Sequence, residues 1–248
     1  MPTAIKAIAE EIGANEFLIA GNGSFIYDMQ NDETVYNNYM EKQKVLDIVK
    51  LCEENTIFYN LYTTNMIITK AINYNVAYYN NENRRIPTGE KISINITSNI
   101  YEYVKNYQKS DFLKITICDS DKSVFSGIMN KLKKIKDIDV LDISHMSRKA
   151  IKLGTKAEEI TYYYTEIANK DVNKWTALKY LIDKLSILPE ETIGIGDNIN
   201  DKELIENTGL GIAMENSCPE IKEIAKGIVS DNDSNGVSEA INRYINEY

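Results

Sequence analysis

The segment Thr192–Asp201 (Thr-Ile-Gly-Ile-Gly-Asp-Asn-Ile-Asn-Asp) constrains this chain more than any other. A short apolar run, Ile193–Ile195 interleaved with glycine, ends abruptly in carboxylates and amides. In an α/β protein the carboxyl end of a buried strand is where a ligand crevice opens. Asp197 and Asp201 flank Asn198, Ile199 and Asn200. If a helix starts near Asn200, these side chains crowd the mouth of one strand. Such an oxygen-rich set suits a hard divalent cation. Asp and Asn are also ordinary helix-capping residues that need no metal, so the string alone leaves both readings open.

The pattern around it gives the class. From Lys174 onward, strand and helix signals alternate: a helix over Lys174–Leu185, strands at Thr192–Ile195, Gly211–Met214 and Gly227–Val229, and helices at Lys202–Asn207, Pro219–Ala225 and Val237–Tyr244. That alternation predicts a parallel, doubly wound sheet. Near the start, a helix over Ala4–Ile12 precedes a strand at Phe17–Ala20, a turn at Gly21-Asn22-Gly23 and two further strand signals, Ser24–Tyr27 and Thr34–Tyr39. Lys42–Asn55 reads as a helix with Val45, Ile48, Val49 and Cys52 inward. Residues 56–83 are rich in β-formers. Helices over Ser98–Gln108 and Ser120–Lys134 alternate with strands at Phe112–Cys118, Val140–Ser144 and Ile160–Ile167. The expected architecture is α/β: a Rossmann-like, doubly wound parallel-sheet core, built discontinuously from residues 1–41 and 160–248, with an inserted α+β domain over 42–159.

Composition narrows the partners. The chain has 248 residues, enough for a sizeable core, and a net charge of −9. Phosphate backbones need a basic face, so nucleic acid is excluded as the expected partner. No apolar run approaches the length of a membrane span, and the first residues carry no signal-peptide pattern. Three scattered cysteines (Cys52, Cys118, Cys218) with no Cys-x-x-Cys suggest neither a disulfide framework nor a zinc site, which fits a cytoplasmic protein. The single histidine, His145, argues against a Ser-His-Asp triad and reads as a surface or packing residue.

Several spaced strings, in order, resemble the haloacid dehalogenase superfamily. Gly196-Asp197-Asn198-Ile199-Asn200-Asp201 is similar to motif IV in the Gly-Asp-x-x-Asn-Asp form of its Cof-type phosphatases. Gly209–Ser217, Pro219–Lys222 and Asn232–Val237 resemble the segments that follow. Upstream, Thr165-Glu166-Ile167 and Asp171–Lys174 resemble the strand and loop that carry the motif III lysine, and Asn22-Gly23-Ser24 resembles the Asn-Gly-Ala element. The middle of the chain matches only in length and class, as a variable C2-type cap would.

The resemblance implies a Mg²⁺-dependent phosphatase acting on small phosphorylated metabolites such as sugar phosphates, by way of an aspartyl-phosphate. It implies that Asp197 is a Mg²⁺ ligand. Lys174 would offset phosphate charge, Asp201 would orient Lys174 or a metal-bound water, and Asn200, with Asn22 and Gly23, would contact substrate. The family's opening Asp-x-Asp-Gly-Thr, source of the nucleophile and the general acid/base, has no match here. The nearest string, Asp119-Ser120-Asp121, stands in the wrong order relative to the other motifs. The motif II Ser/Thr is missing too, and Met1–Lys6 reads like the residues just after it. The chain is therefore expected to start inside the family's fold, short of a first βαβ-like unit of on the order of 30 residues or more. Two readings follow: a phosphatase lacking its nucleophile and thus inactive as written, with weak Mg²⁺ affinity, or a non-catalytic remnant that binds a phosphorylated ligand or nothing. A phosphomutase of the same superfamily is the weaker third.

Overall fold

The computed structural model describes residues 2–84, 91–141, 147–153 and 156–245; His145 lies outside them, as does most of the strand read at Val140–Ser144. The chain divides into two compact units, Met1–Asp171 and Val172–Tyr248.

In the first unit, α1 (Pro2–Glu11) leads into β1 (Phe17–Ala20), a tight turn at Gly21–Gly23, β2 (Phe25–Asp28) and β3 (Glu33–Asn37). These strands form an antiparallel sheet in the order β1-β2-β3. Phe17–Ala20, read from sequence as a buried strand of the core, is half-buried except at Ala20, and its described pairing is antiparallel, to β2.

The chain continues through α2 (Lys42–Glu54), β4 (Phe58–Thr63), β5 (Met66–Thr69), α3 (Tyr74–Glu82), β6 (Ser93–Ile96), α4 (Ile100–Asn106), β7 (Phe112–Asp119), α5 (Lys122–Leu132), β8 (Ile138–Val140), β9 (Ser147–Leu153) and β10 (Lys156–Asn169). The strands make one sheet in the order β6-β5-β4-β7-β10-β8, with β9 on β10. Successive side chains on a strand point to opposite faces. One face carries Leu61, Ile68, Ile115, Ile117 and Ile167, packed against Val45, Ile48, Val49 and Cys52 of α2, Ile100 and Val104 of α4, and Phe125, Ile128 and Leu132 of α5. This is the main apolar core of the unit, each large side chain contributing roughly 1.5–3 kcal/mol on burial. The other face carries a polar row beside the apolar side chains of Tyr62 and Ile67. Its register aligns Glu166 with Thr116, Thr116 with Asn60, and Asn60 with Thr69.

The helix α3 departs from the strand-rich reading of residues 56–83. Asn73 caps it by accepting from the Tyr74 amide, Val76 is buried, and Tyr79 packs edge-on against Tyr62 with centroids 6.2 Å apart. Packing on the sheet overrides the β preference of its Tyr, Asn and Val residues.

In the second unit, α6 (Lys174–Leu185) precedes β11 (Ile193–Gly196), α7 (Lys202–Asn207), β12 (Leu210–Met214), α8 (Pro219–Ile224), β13 (Gly227–Val229) and α9 (Gly236–Tyr244). The three strands are parallel, in the order β11-β12-β13. Both faces are covered, as a parallel sheet requires. Ala213 packs with Ile205 of α7 and Ile221 of α8, whereas Ile212, Met214 and Val229 pack with Ala240 of α9. This is the doubly wound arrangement the alternation predicts. No described helix is long and apolar enough to cross a membrane.

Candidate functional site

Asp197 is the first residue past β11, and residues 198–201 wind into a short 3-10 turn that runs into α7. Asn198 Oδ1 accepts from the Ile199 amide at 2.8 Å and so caps the turn. Asp201 closes it from the other side. Its Oδ2 accepts from the amides of Asp197 and Asn198 at 3.0 and 3.1 Å. Gly196 makes this possible, because a Cβ there would overlap the Asp201 side chain. Gly211 has a comparable reason: a Cβ would meet the Ile205 carbonyl of α7. The glycines that break up the apolar runs therefore mark where α7 lies directly against β11 and β12.

The remaining oxygen of Asp201 accepts from Lys174 Nζ. Asp201 is almost fully buried, its side chain 3% exposed, while that of Lys174 is 34% exposed. A buried carboxylate is tolerable when its oxygens are satisfied, and here three donors converge on two oxygens. Lys174 opens α6, whose cap is Asn173, accepting from the Thr176 amide at 2.8 Å. A cation at a helix N-terminus faces the positive end of the dipole. Asp201 compensates that placement and fixes where the ammonium points.

Asp197 is half-exposed, and its Oδ2 accepts from Asn216 Nδ2 at 3.0 Å. Asn216 also accepts from the Asn232 amide at 3.1 Å, which ties the loops after β12 and β13 to the end of β11. Asn200 lies half-buried in the turn. The second unit thus brings Lys174, Asp197, Asn200 and Asp201 to the end of one strand. Asn216 is a member of this group that sequence reasoning missed. Its signal was present, in Met214-Glu215-Asn216-Ser217, but nothing in the string says which carboxylate it meets.

Among the described residues, no group of three or more His, Cys, Asp or Glu side chains is placed to hold a metal ion. Asp201 is engaged by Lys174 and two amides, so of the two aspartates in the turn after β11, Asp197 is the one left to a cation. Mg²⁺ takes near-octahedral oxygen ligation, commonly from one or two carboxylates and substrate phosphate. The donor set is incomplete for it.

Asn22 and Gly23 belong to the first unit. Asn22 is left-handed (φ 57°) between Gly21 (φ 59°) and Gly23 (φ 99°), and its Nδ2 donates to Glu166 Oε2 at 2.8 Å. Burial pushes the Glu166 carboxyl up. The charge of Lys114 and hydrogen bonds from Lys114, Tyr164 and Asn22 outweigh this and hold it below the usual range. The Asp119-Ser120-Asp121 string is consumed structurally. Asp121 caps α5, accepting from the Ser123 and Val124 amides at 2.7 and 3.0 Å, and Asp119 Oδ1 accepts from the Asp121 amide at 2.7 Å.

The comparison with known proteins agrees with this fold. The description of haloacid dehalogenase-like hydrolases matches residues 1–241, and the chain belongs to that family. It is similar to phosphatase YwpJ of Bacillus subtilis, 26% identical over 243 residues, covering 94% of this chain and 81% of that one. A haloacid dehalogenase-like hydrolase of B. subtilis superposes with a TM-score of 0.75 at 22% identity, covering 98% of this chain and 84% of that one. A subclass IIB sugar phosphatase superposes with a TM-score of 0.68 at 16% identity, covering 96% of this chain and 79% of that one.

Proposed function

We propose that the end of β11 is a phosphate-handling site for small phosphorylated metabolites, sugar phosphates among them, and that the 248 residues by themselves do not turn such a substrate over. The observation that carries the reading is the Lys174–Asp201 pair. A buried carboxylate locked by two amides of the β11 turn aims one ammonium at the strand end. An ammonium is a compact charge suited to a phosphoryl oxygen.

In this reading Lys174 offsets phosphate charge, Asp201 orients Lys174, and Asn200 contacts substrate; for Asn22 and Gly23 a substrate contact is what the family resemblance implies. Asp197 is the residue to which a Mg²⁺ ion would bind. A divalent cation, when bound, neutralises phosphate charge; with one carboxylate to hold it, we expect weak binding. The family names of the relatives support hydrolysis as the chemistry. Transfer to a carboxylate needs an aspartate nucleophile, and the sequence contains no Asp-x-Asp-Gly. The inactive, ligand-binding reading is favoured by that observation. The division into a core (residues 1–41 and 160–248) and a cap (42–159) that selects the substrate is part of the same proposal, with β10 pairing into the cap's sheet as far as Asn169. So is a cytoplasmic location.

Calorimetric titration with inorganic phosphate and with a hexose phosphate tests the site. Binding that Lys174→Met weakens about tenfold or more, roughly 1.4 kcal/mol, supports it. Binding unaffected by Lys174→Met, or none at millimolar ligand, contradicts it.

A further inference from the structure

The polar row on the seven-stranded sheet has one charged member, Glu166, and it reaches beyond the sheet. Thr116, Asn60 and Thr69 in the row are fully buried, while the Glu166 side chain is 13% exposed. The two oxygens of Glu166 serve different partners. Oε1 accepts from Lys114 Nζ at 2.6 Å and from the Tyr164 hydroxyl. Oε2 accepts from Asn22 Nδ2, 144 residues away in sequence. Lys114 also sits over the Tyr62 ring, 5.3 Å from its centroid.

At the far end of this chain of contacts is an unusual turn. Gly21, Asn22 and Gly23 are all left-handed. For a non-glycine residue that conformation costs roughly 1–2 kcal/mol, and it persists where the surroundings dictate it. Ser24 supplies one restraint, its Oγ donating to the Gly21 and Leu113 carbonyls at 2.7 and 3.3 Å.

We propose that Glu166 is a positioning residue for Asn22: its carboxylate fixes which end of the Asn22 carboxamide faces the sheet and holds the Gly21–Gly23 turn in its left-handed form. The inference deepens the reading of Asn22 as a substrate-contacting group and rests on that reading for its functional meaning. Its chemistry is simple. An ionised carboxylate only accepts, so the amide must offer its nitrogen. Lys114 keeps the carboxylate ionised. The other titratable groups facing it, Tyr164 of β10, Tyr62 of β4 and Tyr79 of α3, are phenols whose ionisation burial pushes up, so they stay neutral.

The test is NMR of the full chain with ¹⁵N-labelled Asn side chains, the Asn22 peak being assigned by its loss in Asn22→Ser. The unmodified protein is expected to show one Asn22 amide proton shifted downfield, with exchange slowed about tenfold relative to exposed amides, the size of one net hydrogen bond. In Glu166→Gln the lone amide oxygen is claimed by Lys114, and the new nitrogen faces Asn22. Asn22 must then turn over to accept, and the downfield signature disappears. Combining Lys114→Met with Glu166→Gln leaves the Tyr164 hydroxyl, which can accept from the amide nitrogen as well as donate, so the oxygen can turn to Asn22 and restore the signature. A purely packing role would give neither the loss nor the rescue.

The unmodified protein offers a second readout that needs no variant. The Asn22 amide shift should stay constant as pH falls through the ordinary glutamate range near about 4.3, and move only below it. An Asn22 peak indistinguishable between the unmodified protein and Glu166→Gln, or one that titrates in the ordinary range, overturns the inference. Inorganic phosphate titrated into the same sample separates the two ideas: no phosphate binding with the Asn22 signature intact overturns the functional reading and leaves the positioning role standing.

Discussion

Lys174 Nζ donates to Asp201 Oδ1 across 27 residues of sequence, joining the first residue of α6 to the turn that follows β11. The two partners are not equivalent. Asp201 is buried and also caps its own turn, whereas Lys174 is one-third exposed. Asp201→Ala should therefore cost about 2–4 kcal/mol, because it orphans two amides and a cation. Lys174→Met should cost about 1–2 kcal/mol, the solvent near Lys174 screening part of the pair. Urea unfolding measures both; equal costs, or a more damaging Lys174→Met, would contradict the asymmetry.

Two glycines give an opposed pair of expectations. A Cβ at Gly196 collides with Asp201, whereas one at Gly127, inside α5, meets nothing within 4 Å. Gly196→Ala should destabilise by about 1–3 kcal/mol through overpacking. Gly127→Ala should stabilise by about 0.5–1 kcal/mol through helix propensity. Thermal melts of the two variants should move in opposite directions from the parent.

Acid should weaken the first unit through Glu166. Its folded-state pKa is depressed, so its contribution to stability is fully present above the unfolded value and is lost as pH falls through the folded one. The stability difference between the parent and Glu166→Gln should be flat from pH 7 to about pH 5 and shrink below about pH 4. A difference that grows as pH falls would reverse the sign and refute the assignment.

Metal affinity follows from the donor count. With Asp201 committed to Lys174 and two amides, Asp197 is the carboxylate left to a cation. Mg²⁺ should bind no tighter than about 1 mM, on the order of 4 kcal/mol. A submillimolar site that Asp197→Ala abolishes would show that other groups complete the ligand shell.

How much of this was legible in the sequence depended on range. Gly194-x-Gly196-Asp197 announced a strand end, and the alternation after Lys174 announced a parallel sheet, since both are local patterns. Lys174 could be linked to Asp201 only through family resemblance; no periodicity joins residues 27 apart. The helix α3 was hidden because Tyr74–Tyr79 carry β-favouring side chains and its stability comes from packing on Tyr62. The partner of Asn22 was hidden for a different reason. Glu166 lies on a strand whose register against β7, set by tertiary pairing, decides what it meets. The role of Asn216 needed the loops after β12 and β13 to be placed before its amide could be seen to join Asp197 to the Asn232 backbone.

The central claim is that this chain carries the lysine–aspartate half of a phosphatase site without a nucleophile. Hydrolysis of p-nitrophenyl phosphate by the purified 248-residue chain, with Mg²⁺ and again with EDTA, tests it most directly. The account predicts no EDTA-sensitive turnover, since loss of a nucleophile typically costs several orders of magnitude, about 10⁴–10⁶ in rate. Sustained Mg²⁺-dependent turnover that co-purifies with the protein and disappears in Lys174→Met would contradict it.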